Sequence, residues 1–504
     1  MILGVDVGTT HIKVGTFSLD GSLQSLHIRT TPTINLGASQ AVYDPEEIWR
    51  LVADLLKDTV ASTDRGSEIS SIAVASMAEA GLLVDAQGRA LTPIISWFDV
   101  RSKEDAETWF EKISPEQFFH ITGLNPNHIY SLFKILWLRD YEPHLYEHAK
   151  TWLCMSDYIN YRLTGVMATD YSIASRTGLF DLEKKTWSKD LLRKADLRHD
   201  LLPPAFPGGT YLGEITAKVS TETSLEVGTP VSLGGHDHVC GAFSAKVIEP
   251  GVILDSMGTS ESFISVLPSL SQLNVMEYKG FNVGHHVIPG VYYLQGGASS
   301  NGVSVEWFLD AFYRTWGVSQ PYEELVTQAR KRQVGANGLF FIPHLRGAGP
   351  PVRNPLSKGS FMGIRDFHTQ ADFARGVLEG VSFEGLRVMQ GMESVQGQVF
   401  NKVHAIGGGT RNPLWMEIKS NLIQGVVEVP MVQEATLLGA ALLGALGAKI
   451  YSNPRQAVEM TYKVGSVYKA NPDVAGDYKR LYSVYLEILP KVQQLSEIIS
   501  VDND

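Results

Sequence analysis

Two stretches of this chain follow one plan. "ILGVDVGTTHIKVGTFSL" runs from an apolar strand through Gly8-Thr9-Thr10 into a second apolar strand, and "EPGVILDSMGTSESFISVL" does the same through Gly258-Thr259-Ser260. Self-similarity at a separation of about 250 residues is the mark of two similar domains, here with a boundary near Val247. Coincidence between two short Gly-Thr turns is the alternative. The 504 residues agree with two domains, since one hydrophobic core rarely serves more than about 250 to 300 residues.

Between these runs, strands alternate with helical patterns. "DPEEIWRLVADLLKDTVAS" places Ile48, Leu51, Val52, Leu55 and Leu56 on one helical face, and "ISSIAVASMAEAGLLVD" predicts two strands around a loop at Ser76 to Gly81. This is α/β grammar rather than that of a sandwich. The C-terminal stripe of Tyr478, Leu481, Tyr482, Tyr485, Ile488 and Leu489 reads as a packing face.

Composition narrows the partners. A balance of 43 Lys+Arg against 54 Asp+Glu, net charge -11, argues against a nucleic-acid or anionic-membrane surface. Two cysteines, Cys154 and Cys240, give no disulfide framework and favour a reducing compartment. Met1 leads almost at once into a strand, without the apolar segment of a secretion signal, and Leu437 to Ala448 falls short of the ~20 residues a membrane span needs. A cytoplasmic protein is the expectation.

The opening turn carries chemistry. Backbone N–H groups in a tight Gly-Thr-Thr loop can converge on phosphate oxygens because glycine permits close approach. A carboxylate two residues upstream would face that phosphate, which requires a divalent cation between them. Asp6 therefore reads as holding Mg2+, through water, because Mg2+ gives up its waters reluctantly. Lys13 would bring its charge near the same site. A surface hairpin with a solvated Asp is the alternative. Met257 to Ser260 offers matching donors, so the two loops are expected to clamp one triphosphate across a cleft. A third cluster, "AIGGGTRNPLWMEIKSNLI", passes from a strand through Gly407-Gly408-Gly409 into a helix with Leu414, Trp415, Ile418 and Leu422 on its apolar side. A flat group such as adenine could lie there, although a tight turn without a ligand is equally consistent. No G-x-G-x-x-G opens the helix, so this is not a Rossmann fingerprint.

With these three loops in order, the chain resembles the FGGY carbohydrate kinases of the actin-like ATPase superfamily over residues 1 to 490. "PIISWFDVRS" (Pro93 to Ser102) is similar to the family's W-x-D-x-R segment, and "SDYINYRLTG" (Ser156 to Gly165) to its D-Y-x-x-x-x-L-T-G segment. "GGHDHVCGAFSAKVIEPG" resembles the block holding the catalytic aspartate, and "GGGTRNPLWMEIKSNLIQGVVEVPMVQEATLLGAALLG" the C-terminal signature.

The resemblance implies an α/β fold of two actin-like (ribonuclease H-like) domains flanking a central nucleotide and sugar cleft: residues 1–247 for sugar and 248–504 for nucleotide. It implies an ATP- and Mg2+-dependent kinase that phosphorylates a hydroxyl of a small ketose, sugar acid or polyol. Asp237 corresponds to the general base and a second carboxylate near the metal; its bland alternative is a helix cap after Gly234-Gly235. Gly8, Thr9, Thr10, Lys13, Gly258 and Thr259 would serve the phosphates, and Gly408, Gly409 and Asn412 would border the adenosine. Glu79 stands in a loop where relatives contact sugar. Many pentulose kinases carry Gln-Met-His-Gly there, whereas this chain has Ala78-Glu79-Ala80-Gly81. That departure argues against a plain xylulokinase, because a carboxylate accepts two hydroxyl hydrogen bonds and a thioether does not. Trp97 offers a face for sugar C–H bonds, and Asp99 and Arg101 stand between sugar contact and a supporting ion pair.

His236 and His238 in "HDH" tempt a zinc reading, but adjacent strand residues point apart and no third ligand cluster follows. Hydrogen-bonding roles suit them and His285-His286 better, with His238 a candidate substrate contact. Glycines 439, 444 and 447 read as allowing close helix packing. Near Pro343 to Pro355 relatives often show Gly-Glu-Arg-x-Pro, and this chain lacks the Glu. The partner is a small sugar, with no nucleic acid and no membrane; a homodimer is one option for an assembly the sequence leaves open. A chaperone or filament ATPase would not need the Trp97 segment with Asp237, and a non-catalytic sugar sensor would be expected to lose Asp6 or Asp237.

Overall fold

The computed structural model describes residues 1–37, 39–63, 68–273 and 280–501. They form two compact units: Met1–Ile248 with Val283–Tyr293 and Val432–Tyr462, and Glu249–Asn282 with Leu294–Met431 and Lys463–Asp504.

In the first unit the expected strand–turn–strand is Ile2–Val7 and His11–Phe17, antiparallel. The sheet runs Leu23–Thr30, His11–Phe17, Ile2–Val7, Ser71–Ser76, Pro230–His236, Tyr211–Glu214. Ile2–Val7, Ser71–Ser76 and Pro230–His236 are parallel neighbours, which is why their residues are buried on both faces. Helix Pro45–Ser62 buries Ile48, Val52, Leu55 and Leu56; Asp44 caps it through the N–H groups of Glu46 and Glu47, and proline occupies its first position.

The second sheet repeats the centre of that order. Its strands run Asn282–His285, Tyr292–Ala298, Glu261–Leu267, Val252–Met257, Lys402–Ile406, Val426–Pro430, Val464–Lys469. Val252–Met257 pairs antiparallel with Glu261–Leu267 and parallel with Lys402–Ile406. In each sheet the first strand in chain order thus lies between its antiparallel successor and a later parallel strand.

Division by sequence position alone misplaces several elements, helix Pro454–Thr461 and most of strand Asn282–His285 among them. Helix Ala435–Gly447, which the linear reading put in the nucleotide half, belongs to the first unit, where it lies on Ile2–Val7, Ser71–Ser76 and Pro230–His236. The cause is its apolar, glycine-containing surface. A Cβ on Gly439 would stand 2.0 Å from the Cys240 carbonyl oxygen, and one on Gly447 2.1 Å from Ser232 Oγ, so the helix seats only because these side chains are absent. The opposing Gly4 does the same for the Leu437 carbonyl. Burial of Leu437, Leu438, Leu442 and Leu443 then contributes about 2 kcal/mol each. The C-terminal helix Pro472–Val501 buries Tyr478, Leu481, Tyr482, Tyr485 and Leu489, as its stripe predicts. Among the described residues no helix is long and apolar enough to cross a membrane.

Candidate active site

The first unit gathers its acids at the ends of parallel strands. Asp6 lies near the end of Ile2–Val7, directly across from Lys13 on the neighbouring strand. Its Oδ1 is buried without a hydrogen-bond partner. Burial first, then the charges of Asp237 and Glu434, push its carboxyl up to about 8, with Lys13 pulling the other way. An orphaned, buried carboxylate oxygen beside a second acid fits a cation held there, in line with the expectation for Mg2+. Lys13, expected to face phosphate, instead has Glu434 Oε2 2.6 Å from its Nζ. That pairing leaves less of its charge for a phosphate.

Asp237 is placed by a bulge. Pro230–His236 slips register against Ser71–Ser76 between Leu233 and Gly235, and Gly234 fits the slip because a Cβ would stand 2.1 Å from the Val74 carbonyl oxygen. The strand ends at His236, and Asp237 opens helix Asp237–Ser244 as its first residue rather than as its N-cap, which is His236. Its Oδ1 accepts the His238 backbone N–H at 2.6 Å and lies 3.2 Å from His236 Nε2. Burial holds the Asp237 carboxyl above the ordinary carboxylate range, against the pull of His238 and Arg176. Burial, with His238 and Arg176, holds His236 well below the usual imidazole range, which favours a neutral ring beside Asp237. The two histidine rings lie 5.5 Å apart and do not point apart as the sequence reading expected, because residues two apart on a strand share a face. Among the described residues no group of three His, Cys, Asp or Glu side chains is placed to hold a metal ion. His285 Nε2 meets the Leu182 carbonyl at 2.9 Å and His286 Nδ1 accepts the Ile288 N–H at 3.1 Å, both hydrogen-bonding roles.

Glu79 is buried, at φ +63°, a left-handed conformation rare for a residue with a side chain. Arg176 donates to its Oε1 from Nε at 2.7 Å and lies 2.5 Å from it through Nη2. Burial would lower the Arg176 guanidinium, but the Glu79 carboxylate outweighs it and raises it further. Arg176 serves the buried Tyr293 hydroxyl as a hydrogen-bond donor, so Glu79, Arg176 and Tyr293 form one buried polar cluster. Lys134, also fully buried, is brought down to about 8 by burial, with Glu79 and Asp99 opposing.

Trp97 Nε1 donates to Thr9 Oγ1 at 3.0 Å, tying the W-x-D-x-R segment to the first Gly-Thr turn. Asp99 is fully buried, and its oxygens are spent on Arg101 Nε and Nη2 at 2.9 Å each, the Arg101 N–H at 2.9 Å and the Ala41 N–H at 2.7 Å. Arg101 lies over the Trp137 ring. Of the two roles left open for this pair, the geometry favours support, since no oxygen of Asp99 is left for a sugar.

The turns themselves differ. Gly8 N–H donates to the His11 carbonyl at 3.0 Å, whereas Gly258 N–H donates to that of Ser260 at 3.1 Å, so the second turn is one residue shorter. Thr31 Oγ1 braces the first from the Gly8 carbonyl at 2.7 Å.

In the second unit a cavity of about 860 Å³ is lined by Gly258, Thr259, Gly302, Tyr322, Gly408 and Trp415 among others, Gly409 included. Gly407 takes φ +94°, and a Cβ there would stand 2.6 Å from the Met257 carbonyl oxygen, so the third cluster folds directly against the strand before the second turn. Asn412, expected at the adenosine, is fully buried and caps helix Pro413–Ile423 through the Trp415 N–H at 3.1 Å. It is absent from the lining.

Three partners escaped the linear reading. Arg176 is the one charge between Asp170 and Asp181, and Glu434 the one charge between Glu428 and Lys449; a solitary charge in an apolar stretch is a signal of burial and pairing. Lys419 stands four residues after Trp415, on the apolar stripe of its helix.

Comparison with known proteins places this arrangement. Residues 1–244 match the FGGY family of carbohydrate kinases, N-terminal domain, and residues 255–448 its C-terminal domain. The chain belongs to the FGGY family of carbohydrate kinases, phosphotransferases with an alcohol group as acceptor. It is 29% identical to a xylulose kinase of Staphylococcus epidermidis, covering 100% of this chain and 99% of that protein, and 26% identical to a gluconokinase of Bacillus subtilis, covering 97% and 95%. The crystal structure of xylulose kinase from Rhodospirillum rubrum superposes with a TM-score of 0.89 at 24% identity, over 98% of this chain and 99% of that one.

Proposed function

We propose that this kinase transfers the γ-phosphoryl group of ATP to a hydroxyl of a small ketose or related sugar acid, with Asp237 as general base. The observation that carries the reading is Asp237 at a helix start, held by the His238 backbone N–H and sharing its surroundings with the orphaned oxygen of Asp6. Phosphoryl transfer asks mainly for positioning and charge neutralisation. Asp237 would accept the hydroxyl proton as the sugar oxygen attacks; burial makes the carboxylate a stronger base than one in water. When bound at Asp6, Mg2+ would supply compensation for the phosphate charge. ATP would occupy the second-unit cavity, phosphates toward Gly258 and Thr259 and the base toward Gly408 and Gly409. Because Gly8 and Gly258 close their turns with their own N–H groups, the phosphate donors would be the residues that follow them.

Sugar would bind the first unit at Glu79, Arg176, Trp97 and His238. Glu79 cancels the Arg176 charge, and with the Tyr293 hydroxyl in the same cluster the combination suits neutral hydroxyls. The test is ADP release measured over pentuloses, hexuloses, aldonic acids and polyols. Glu79→Ala should raise the sugar KM roughly ten- to a hundredfold, the worth of a charge-assisted hydrogen bond, with KM for ATP within about twofold. Equal losses for both substrates would remove Glu79 from the sugar site, and no stimulation by any compound would remove the function.

A further inference from the structure

The second unit contains a buried ion cluster that the reaction does not use. Lys419 Nζ lies 2.7 Å from Asp255 Oδ2 and donates to Glu261 Oε1 as well. Glu261 Oε2 in turn accepts from Asn301 Nδ2, which also reaches the Val381 carbonyl at 2.9 Å. All four side chains are buried. Gly385 of helix Gln370–Gln396 leaves room for them, since a Cβ there would stand 3.3 Å from Glu261 Oε2 and 3.6 Å from Lys419 Nζ.

The positions of these residues matter more than their number. Asp255 and Glu261 flank the turn that carries Gly258 and Thr259. Asn301 begins helix Asn301–Phe312, whose Gly302 and Val305 line the cavity, and Lys419 belongs to the helix whose Pro413 and Trp415 line it. We propose that Lys419 is a positioning residue for nucleotide binding: its ammonium fastens three of the cavity's walls to one point and cancels the acids bracketing the phosphate turn. Burial and Glu261 already hold the Asp255 carboxyl well above its ordinary range; without Lys419 any negative charge the two acids kept would repel an incoming polyphosphate, and their hydrogen bonds to one cation, which join the strands on either side of the turn, would be lost. Burial alone would lower the Lys419 ammonium, yet the two carboxylates hold it above its ordinary range, so the cation persists.

This inference rests on reading the cavity as the nucleotide site, and the experiment separates the two. ADP is titrated calorimetrically into wild type, Lys419→Met and Arg375→Met. Arg375 forms a buried pair with Glu379 at 2.7 Å on the long helix Gln370–Gln396 and lines no part of the cavity, so its loss is a control for destabilisation alone. Lys419→Met should weaken ADP binding by at least about tenfold with an unchanged far-UV spectrum, whereas Arg375→Met should lower the thermal midpoint and leave ADP affinity within about twofold. A folded Lys419→Met that binds ADP within twofold of wild type overturns the inference. Should Lys419→Met fail to fold, Glu261→Gln keeps the size but turns one of the two accepting oxygens into an NH2 donor facing Lys419 or Asn301, which loosens the tie between the walls: weakening by about threefold or more supports the proposal, and wild-type affinity contradicts it. A wild type that binds no ADP overturns the nucleotide reading itself.

Discussion

The two Gly-Thr turns sit at corresponding places at the centres of their sheets, yet their acids are treated in opposite ways. In the first unit Asp6, two residues before Gly8, keeps an oxygen without a partner and is pushed up to about 8. In the second the corresponding residue is Ser256, and the nearby acids Asp255 and Glu261 turn onto Lys419. Local charge thus differs between the two turns: one keeps an acid without a counter-ion, which on the proposed reading a cation would claim, and the other ties its acids to Lys419, which on that reading keeps bare negative charge from an anion.

The comparison is broken most directly by copying one turn into the other. Asp6→Ser gives the first turn the residue of the second. We expect kcat to fall by about a hundredfold or more and the Mg2+ concentration for half-maximal rate to rise, read from ADP release across a Mg2+ series. Retention of rate and Mg2+ dependence would mean that the two halves are not specialised at this position. Without ligands the same variant should be no less stable than wild type, because the carboxylate it removes is costly to bury.

The pH response of the first unit sharpens the contrast. Burial lowers His285 to about 4, against an ordinary 6.5. A histidine held neutral in the fold contributes stability that is complete above 6.5 and lost as pH falls toward 4, about 3 kcal/mol at the acid limit. Asp6 has the opposite sign: its folded value of about 8 lies above 3.8, so its contribution disappears as pH rises between those values. Thermal midpoints measured from pH 4 to 8 should therefore lose part of their acid limb in His285→Asn, with buried His286 and His236 keeping the rest, and part of their alkaline decline in Asp6→Ser. Unchanged profiles would contradict both assignments.

The smallest effect concerns the second unit. Asn412→Ala should cost about 1 kcal/mol, the worth of an N-cap, with KM for ATP moved less than by changes in the cavity lining. A large loss of ATP affinity at unchanged stability would return Asn412 to the nucleotide.

Much of this was legible in the sequence because it is local. The strand–turn–strand units, the helix at Pro45–Ser62 and the glycines beneath helix Ala435–Gly447 follow from periodicity and residue size within a few turns of chain. Asp6 was legible because a carboxylate in an apolar strand is costly without a task, whereas Asp237 reads from its residues alone as a helix cap and stood out only through the family resemblance. What could not be read were partners distant in sequence. Lys13 meets Glu434, Glu79 meets Arg176, and Lys419 meets Asp255 and Glu261 only once the sheets are assembled. Asp99 illustrates the limit: its chemistry suits sugar contact or support equally, and only its saturation by Arg101 and Ala41 tilts the choice.

The central claim is most directly tested by transfer of labelled γ-phosphate from ATP to the best sugar acceptor in a single turnover, comparing wild type with Asp237→Asn. The account predicts labelled sugar phosphate from wild type and a rate reduced by about a thousandfold in the variant, with sugar and ADP still bound. Transfer by Asp237→Asn within a few-fold of wild type would contradict it.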